Sequence, residues 1–414
     1  MAAVTRRITV VTAGHLSSCP RMLKAADAFH DAGYQVRVVS ARHTEWATAA
    51  DLAVRATRNW AWRVVDYGRA SGWRRRLTTA ARFRAAGIAA RAVGAGRVAL
   101  PLAIRAYSRA HDELVRTVAS EPADLIYGGT TGALAAVAEA AGRLGIPYGL
   151  DLEDFHSAEQ DSADGELANA LATRVEMATL KNAAFLTAAS PMIADAYRSK
   201  YGVEPTPIHN TFSLRFSEDE MSDRPGRLRL YWFSQTLGPG RGIEDAVEAA
   251  GRTNLGAELH LRARPIEHYV AELERLRNRV APTLAIVRHA PAAPDDMVPL
   301  AQPYDLGLSC EQTRVPNRRL SLNNKIFTYL AAGLPVVLSA TPAQAQLARD
   351  LDGAAFVYEP GDVDGLAAHF RRWSADRDRR LCARRAARAA AERRWHWEHP
   401  DDRGALLQRI CACL

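Results

Sequence analysis

Residues 321–340 read SLNNKIFTYLAAGLPVVLSA, and the order of residue types in this run decides the fold. Ser321 is of a type that caps helices, and Ile326, Tyr329 and Leu330 fall three and four apart. Gly333 ends the helical run and Pro335 cannot continue it. Val336, Val337 and Leu338 then make a short strand without polar alternation, the pattern of a parallel strand covered on both faces. Asn323, Asn324 and Lys325 therefore stand at the mouth of a helix whose amides and dipole favour an anion. A cation there works against the helix dipole but suits a bound phosphate, and Lys325 is one of four lysines against fifty arginines.

The run NKIFTYLAAGLPVV resembles the donor half of retaining glycosyltransferases of the GT-B fold, family 4, where a similar stretch ends K-x-x-E-Y-L-A-A-G-x-P-V-V. The resemblance implies an α/β protein of GT-B architecture, with two Rossmann-like doubly wound domains facing each other across a cleft. The sequence departs from the family at one place. Many relatives carry two glutamates eight apart, and the matching slots here hold Leu320 and Thr328. Contacts to ribose and sugar must then come from other groups.

A chain of 414 residues with 48% hydrophobic content suits two cores of about 200 residues each. We expect an N-terminal acceptor-side domain over 1–220, a nucleotide-sugar donor domain over 221–395, and a terminal segment, 396–414, whose helix crosses back to the first domain. The charged stretch around 217–229, with Pro225-Gly226, reads as the linker. The most apolar candidate span, 85–104, is interrupted by Arg91 and Arg97, so no membrane-crossing helix is expected. Five cysteines without C-x-x-C spacing indicate neither a disulfide framework nor a zinc site. A reduced, cytoplasmic protein is the expectation, with peripheral contact at the inner membrane face as its variant.

The net charge of +8 is unevenly spread. Residues 55–116 hold fourteen arginines against three acids, a net +11; residues 371–394 carry a net +7, which leaves the rest at −10. Such segregation points to an anionic partner. Within 44–118, Trp46, Trp60, Trp62, Tyr67, Trp73, Phe83 and Tyr107 stand among the arginines, with no strand-like run of length. Three readings fit: tryptophans filling the first core with arginines outside it, a peripheral membrane contact through 55–116, or a basic groove for nucleic acid. No nucleic-acid motif accompanies the charge, and no nucleic-acid partner is expected.

In the first half, ITVVTA reads as a strand, followed by Gly14-His15-Leu16-Ser17-Ser18 and a helix opening at Pro20. Strand, glycine turn and helix bring backbone amides close to a bound group, though no G-x-G-x-x-G is present. The family resemblance implies that this loop faces the donor, making Gly14 and His15 candidate donor contacts and Arg21 a candidate beside them. A later strand, 148–152, leads into Asp151-Leu152-Glu153-Asp154-Phe155-His156-Ser157. Ligands of open α/β sheets gather outside the carboxyl ends of strands, so Asp154 and His156 are candidate catalytic groups, able to accept an acceptor proton or bond the donor phosphate. The plainer reading is that these carboxylates cap the next helix.

In the second half, a strand at 228–233 precedes Ser234-Gln235-Thr236-Leu237-Gly238-Pro239-Gly240-Arg241-Gly242, a loop able to wrap a phosphate. By resemblance, Arg241-Gly242 fits a K-G pair that grips the donor pyrophosphate, Gly240 lies beside it, and Gln235 stands where relatives carry a second cation. His289 precedes the segment where relatives seat the base. Between the strand 304–308 and the organising run lies Glu311-Gln312-Thr313-Arg314-Val315-Pro316-Asn317-Arg318-Arg319. Arg318 can supply the cation missing at Gln235, and Glu311, Asn317, Asn323 and Asn324 can bind hydroxyls that the absent glutamates would have bound.

The expected activity is transfer of a sugar from a nucleoside diphosphate sugar, UDP or GDP, to a small-molecule or lipid-linked acceptor, with retention at the anomeric carbon. Specialised metabolism, with an oxygen, nitrogen or sulfur acceptor, suits the unorthodox donor run. Arg241, Lys325 and the helix amides would neutralise the leaving diphosphate without metal. No cofactor beyond the co-substrate is expected. The alternatives are a catalytically silent GT-B protein that binds a sugar nucleotide, a membrane or a partner, and a GT-B sugar-nucleotide epimerase.

Overall fold

The computed structural model describes residues 5–214 and 227–414, with the side chains of 163 and 164 also left aside. The expected boundary at 220/221, with Pro225-Gly226, lies outside the described residues. The chain divides into two compact units, one formed by residues up to His209 together with Pro400–Leu414, the other by Asn210–His399. Each is a parallel sheet wrapped by helices, the GT-B pairing of two Rossmann-like α/β sheets.

The first sheet comprises β1 (Arg7–Thr12), β2 (Gln35–Arg42), β3 (Ala61–Asp66), β4 (Leu125–Gly129), β5 (Tyr148–Leu152), β6 (Phe185–Ala188) and β7 (Thr206–Pro207). Its order is β3-β2-β1-β4-β5-β6-β7, so the order reverses between β1 and β4. Every residue of β4 and β5 is buried, which explains their apolar runs: helices cover both faces of a parallel sheet. The packing is close enough that a Cβ on Gly149 would lie 2.2 Å from the Phe185 ring. The second sheet comprises β8 (Arg229–Leu237), β9 (Glu258–Pro265), β10 (Ala285–His289), β11 (Leu306–Ser309), β12 (Val336–Ser339) and β13 (Ala355–Tyr358). Its order, β10-β9-β8-β11-β12-β13, reverses between β8 and β11.

The organising run behaves as read, with one change. The helix spans Asn324–Ala331, Gly333 follows at φ +63°, and β12 is fully buried. Ser321 does not cap this helix. It closes the preceding short helix, Pro316–Leu320, by donating its hydroxyl to the Asn317 carbonyl at 2.8 Å. Gly307 lets Tyr329 rest on β11, because a Cβ there would stand 2.3 Å from the ring.

Residues 44–118 do contain a strand, β3, which joins the open edge beside β2. Its short alternation is hidden by flanking arginines. Trp60 and Trp62 are buried, their indole N–H groups donating to Asp27 and Ser40 at 2.8 Å each, whereas Trp46 and Trp73 are exposed. The tryptophans thus split between core and surface. The helix of the terminal segment spans Ala405–Cys411 and packs on the helix Pro20–Asp31, with Asp402 accepting the His209 amide at 2.8 Å. Among the described residues, no helix is long and apolar enough to cross a membrane.

Arg21 is part of the frame. It is buried and donates to both carboxylate oxygens of Asp151 at 2.6 and 2.7 Å and to the Ile208 carbonyl at 2.6 Å. Asp151 also accepts from Thr187 and Tyr127. A buried charge pair is costly to break from one side, since the remaining ion is left unpaired. Arg21→Met is therefore expected to lower unfolding free energy by roughly 3–5 kcal/mol, read from urea midpoints. A loss under about 1 kcal/mol would show that this pair does not hold β5 to the first helix.

Candidate functional site

Ligands of doubly wound sheets bind outside the strand carboxyl ends, where the strand order reverses. In the second unit that place is flanked by the end of β8, with residues 238–242, and the end of β11, with Glu311. The loop is forced close to β11. Gly240 and Gly242 sit at φ +72° and +67°, and a Cβ on Gly242 would fall 2.0 Å from the Cys310 carbonyl oxygen. No other residue type could occupy position 242 without moving Arg241 away from Glu311.

Glu311 and Lys325 are the centre of this group. Both are buried, at 6% and 5% exposure, with Lys325 Nζ 3.0 Å from Glu311 Oε1. Burial pulls the Lys325 ammonium below the ordinary lysine value, while Lys325 and Arg241 outweigh burial at Glu311 and hold its carboxyl below the usual range. Ser339, at the end of β12, donates to the Glu311 carbonyl at 2.7 Å, and Gln344 donates to Ser339 at 3.2 Å. Asn323 stands at the N-cap position without capping the helix. Its amide donates instead to Ser309 at 2.7 Å and to Glu311 at 3.2 Å, and its buried Oδ1 has no partner among the described residues. An uncapped helix start, an orphaned acceptor and two cations around one carboxylate form a site for a polar, anionic ligand. Lys325 also lies 5.6 Å from the centre of the Trp232 ring.

The other expected donor residues are distributed around this group. Arg318 donates to the Gly240 carbonyl and adds to the positive field at Glu311. Asn324 accepts from the Asn210 amide, and the Asn317 side chain accepts from Ser321 at 3.1 Å, bonds that shape the helix junctions. Gln235 lies on β8, within the strand rather than in the loop. His289 belongs to a separate cluster, its Nε2 2.9 Å from His260 Nδ1 and 3.4 Å from the Tyr304 hydroxyl, with Tyr231 stacked on Tyr304 at 4.2 Å. Ser309, Ser339, Gln344 and Trp232 were not singled out from the sequence. Ser309 and Ser339, polar residues closing apolar strands, were the available signal.

In the first unit, Gly14 follows β1, and its carbonyl accepts the Ala41 amide at 3.1 Å. His15 is held at both nitrogens: Nδ1–H donates to Asp51 at 2.6 Å and Nε2 accepts the Thr44 amide at 3.2 Å. His156 is held at one only. Its Nδ1 lies 3.1 Å from Glu159 and 3.3 Å from Thr131, and its buried Nε2 has no partner among the described residues. Burial by itself would lower the His156 pKa, but the hydrogen bond and charge of Glu159, with Glu176 and Asp154 behind, push it up to about 9. Glu153 is pushed up to about 7, by burial first and then by the neighbouring Asp154. Asp154 also hydrogen-bonds Glu159, and its main-chain carbonyl accepts the Tyr197 hydroxyl at 3.1 Å. A pKa raised to about 9 favours the imidazolium at neutral pH, with Nε2–H to donate, which suits the second of its two expected parts, a hydrogen bond to a phosphate. Glu159, the missed partner, lies three residues along and was legible only as a spacing.

Among the described residues, no three His, Cys, Asp or Glu side chains form a metal-holding group.

The folded pKa of His156, about 9, exceeds the unfolded value of roughly 6.5. Its protonation stabilises the fold fully below about pH 6.5, and that contribution is lost as pH rises through about 9. The stability difference between the wild type and Glu159→Gln should accordingly shrink over this window, read from paired urea titrations. A difference that stays constant would mean that His156 is not charged in the folded protein.

Two family models match the sequence: a glycosyl transferase 4-like domain over residues 20–210 and a glycosyl transferase-like domain over residues 245–402. No curated protein matches it. Among solved structures, HepE of Anabaena in complex with UDP and glucose is similar over 98% of both chains, with a TM-score of 0.69 and 17% identity. A glycosyltransferase of Rickettsia africae has a TM-score of 0.63 at 10% identity over 99% of this chain and 98% of its own. TarM of S. aureus has a TM-score of 0.63 at 8% identity over 99% of both chains. At such identities these likenesses establish the fold, and the family follows from the two models that together span most of the sequence. The chain belongs to the GT-B glycosyltransferases of family 4, glycosyl transferases group 1.

Proposed function

We propose that the protein takes a sugar from a uridine diphosphate sugar and passes it to an acceptor with retention of anomeric configuration. The observation that carries this reading is the buried Lys325–Glu311 pair, beside Arg241 and an uncapped helix start, at the place where the strand order of the second sheet reverses. Loss of a nucleoside diphosphate concentrates negative charge on the leaving phosphate. Lys325, Arg241 and the amides of Asn324 and Lys325 meet that charge without reorganising, each fixed donor being worth roughly 2–4 kcal/mol in the transition state. With the protein supplying these cations, the reaction needs no metal. Uridine is favoured over guanosine because HepE, of the same fold, was crystallised with UDP, with UDP and glucose, and with UDP-glucose.

Retention here runs by attack on the face from which the diphosphate departs, and the leaving phosphate takes the acceptor proton. No protein nucleophile is assigned. Glu311 and the acceptor Oδ1 of Asn323 bind sugar or ribose hydroxyls in place of the family's paired glutamates; in the first unit, His156 offers Nε2–H as a hydrogen-bond donor. One observation favours a silent binding protein instead. Thr328, in a glutamate slot, is buried and donates back to the Asn324 carbonyl at 2.9 Å, so its hydroxyl is committed within the helix.

Calorimetric titration with UDP, GDP, ADP and dTDP separates these readings. UDP is expected to bind in the micromolar range, weakened by about 2 kcal/mol or more in Arg241→Ala and in Lys325→Ala. Release of UDP from UDP-sugars in the presence of acceptor should persist in EDTA. Absence of binding by all four nucleotides, or unchanged binding in both variants, would overturn the donor site; binding without any turnover would favour the silent protein.

A further inference from the structure

The helix Trp73–Val93 in the first unit exposes large apolar residues that a helix serving only a core would bury. Its buried residues are small, Thr79, Ala86 and Ala90. Ala86 and Ala90 pack with Ala95, Val98, Ala103, Ala106 and Leu171 into a cluster beneath it. Its large apolar residues lie outside: Trp73 is 68% exposed, Leu77 59% and Ile88 66%. At 3.6 residues per turn, positions 73, 77, 84, 88 and 91 form one stripe, roughly opposite 79, 86 and 90. Arg84 and Arg91, both exposed, occupy the remaining places on that stripe.

Charge decides what such a surface can meet. The helix carries six arginines and no acid. Arg82 turns inward to Asp112 and Glu113, at 3.1 and 2.5 Å, and Arg74 lies over the Trp73 ring at 5.4 Å. A second copy of the same stripe would bring arginine against arginine, which a two-fold contact disfavours. Nucleic acid would engage the arginines and the indole but gain nothing from Leu77 and Ile88. An anionic bilayer accepts both: indole and aliphatic groups enter the headgroup and acyl boundary while guanidinium groups stay with phosphates.

We propose that this face docks the first unit on an anionic lipid bilayer, with Trp73, Leu77 and Ile88 inserted at the interface and Arg74, Arg84 and Arg91 at the headgroups. The contact is peripheral, since no described helix can cross a membrane. It stands independently of the donor-site reading.

Co-sedimentation of the full chain with vesicles tests it, using phosphatidylcholine alone and phosphatidylcholine with about 30% phosphatidylglycerol. Binding to the anionic vesicles is expected to be at least ~10-fold stronger and to fall as salt is raised toward ~0.5 M. Leu77→Glu with Ile88→Glu should weaken it a further ~10-fold or more, and Arg74→Gln with Arg84→Gln by roughly fivefold per charge. These side chains are exposed, so thermal midpoints should hold and report that the variants are folded. The proposal is overturned if the wild type ignores anionic vesicles or if Leu77→Glu with Ile88→Glu binds them as the wild type does. It is equally overturned if sedimentation velocity finds a dimer that these substitutions dissolve, which would assign the face to a second copy.

Discussion

Lys325 and Glu311 face each other at 3.0 Å in a place with almost no solvent, and the geometry of the second unit's site follows from that pair. Two ions withdrawn from water remain charged only if their attraction and extra hydrogen bonds offset the lost hydration. Glu311 obtains those bonds from Asn323 and, through its main chain, from Ser339. Lys325 stands in the first turn of its helix, where the dipole disfavours a cation and burial lowers its pKa, and the Glu311 carboxylate opposes that shift. Arg241 and Arg318 add further positive charge around a single carboxylate. The balance is in favour of an anion, which is the chemistry a diphosphate brings.

Under the proposed donor-site reading, other acceptors stand in for the glutamates found in many relatives. A carboxylate at position 328 would project from the middle of the helix. Thr328 cannot reach outward from there, and its hydroxyl turns back on Asn324. Acceptor capacity is instead concentrated one strand away, at Glu311 and at the unpartnered oxygen of Asn323. Gly242 is indispensable to this placement, because the loop that carries Arg241 lies directly on the Cys310 backbone.

In the first unit, one short acidic run is divided between structure and chemistry. Asp151 is enclosed by Arg21, Tyr127 and Thr187 and fastens β5 to the first helix. Three and five residues on, Asp154 and His156 lie past the end of the strand, with Glu159 supplying the charge that holds the imidazole protonated. The helix Trp73–Val93 shows a second division of labour. Its small residues face the protein and its large ones face outward, so the core owes little to it and an external surface owes much.

Much of this was legible in the chain itself. Unbroken apolar runs such as Val336–Leu338 and Leu125–Tyr127 announce parallel strands covered on both faces, and helical spacing with Gly333 and Pro335 marks the element that carries Lys325. Local patterns of this kind survive because backbone hydrogen bonding and burial impose periods of 2 and 3.6 on the sequence. The strand β3 escaped notice because arginines at an exposed sheet edge mask the alternation. The function of individual polar residues was legible only as candidacy. Whether Arg21 bound a ligand or a buried aspartate, whether His156 carried a charge, and which tryptophans faced water depended on partners 3 to 187 positions away. The sequence by itself determined the βα rhythm, the two parallel sheets and the family. Only the tertiary structure decided the pairings and burial of Arg21, Glu311, Lys325 and His156, because ionisation and reach are set by neighbours that chain order does not name.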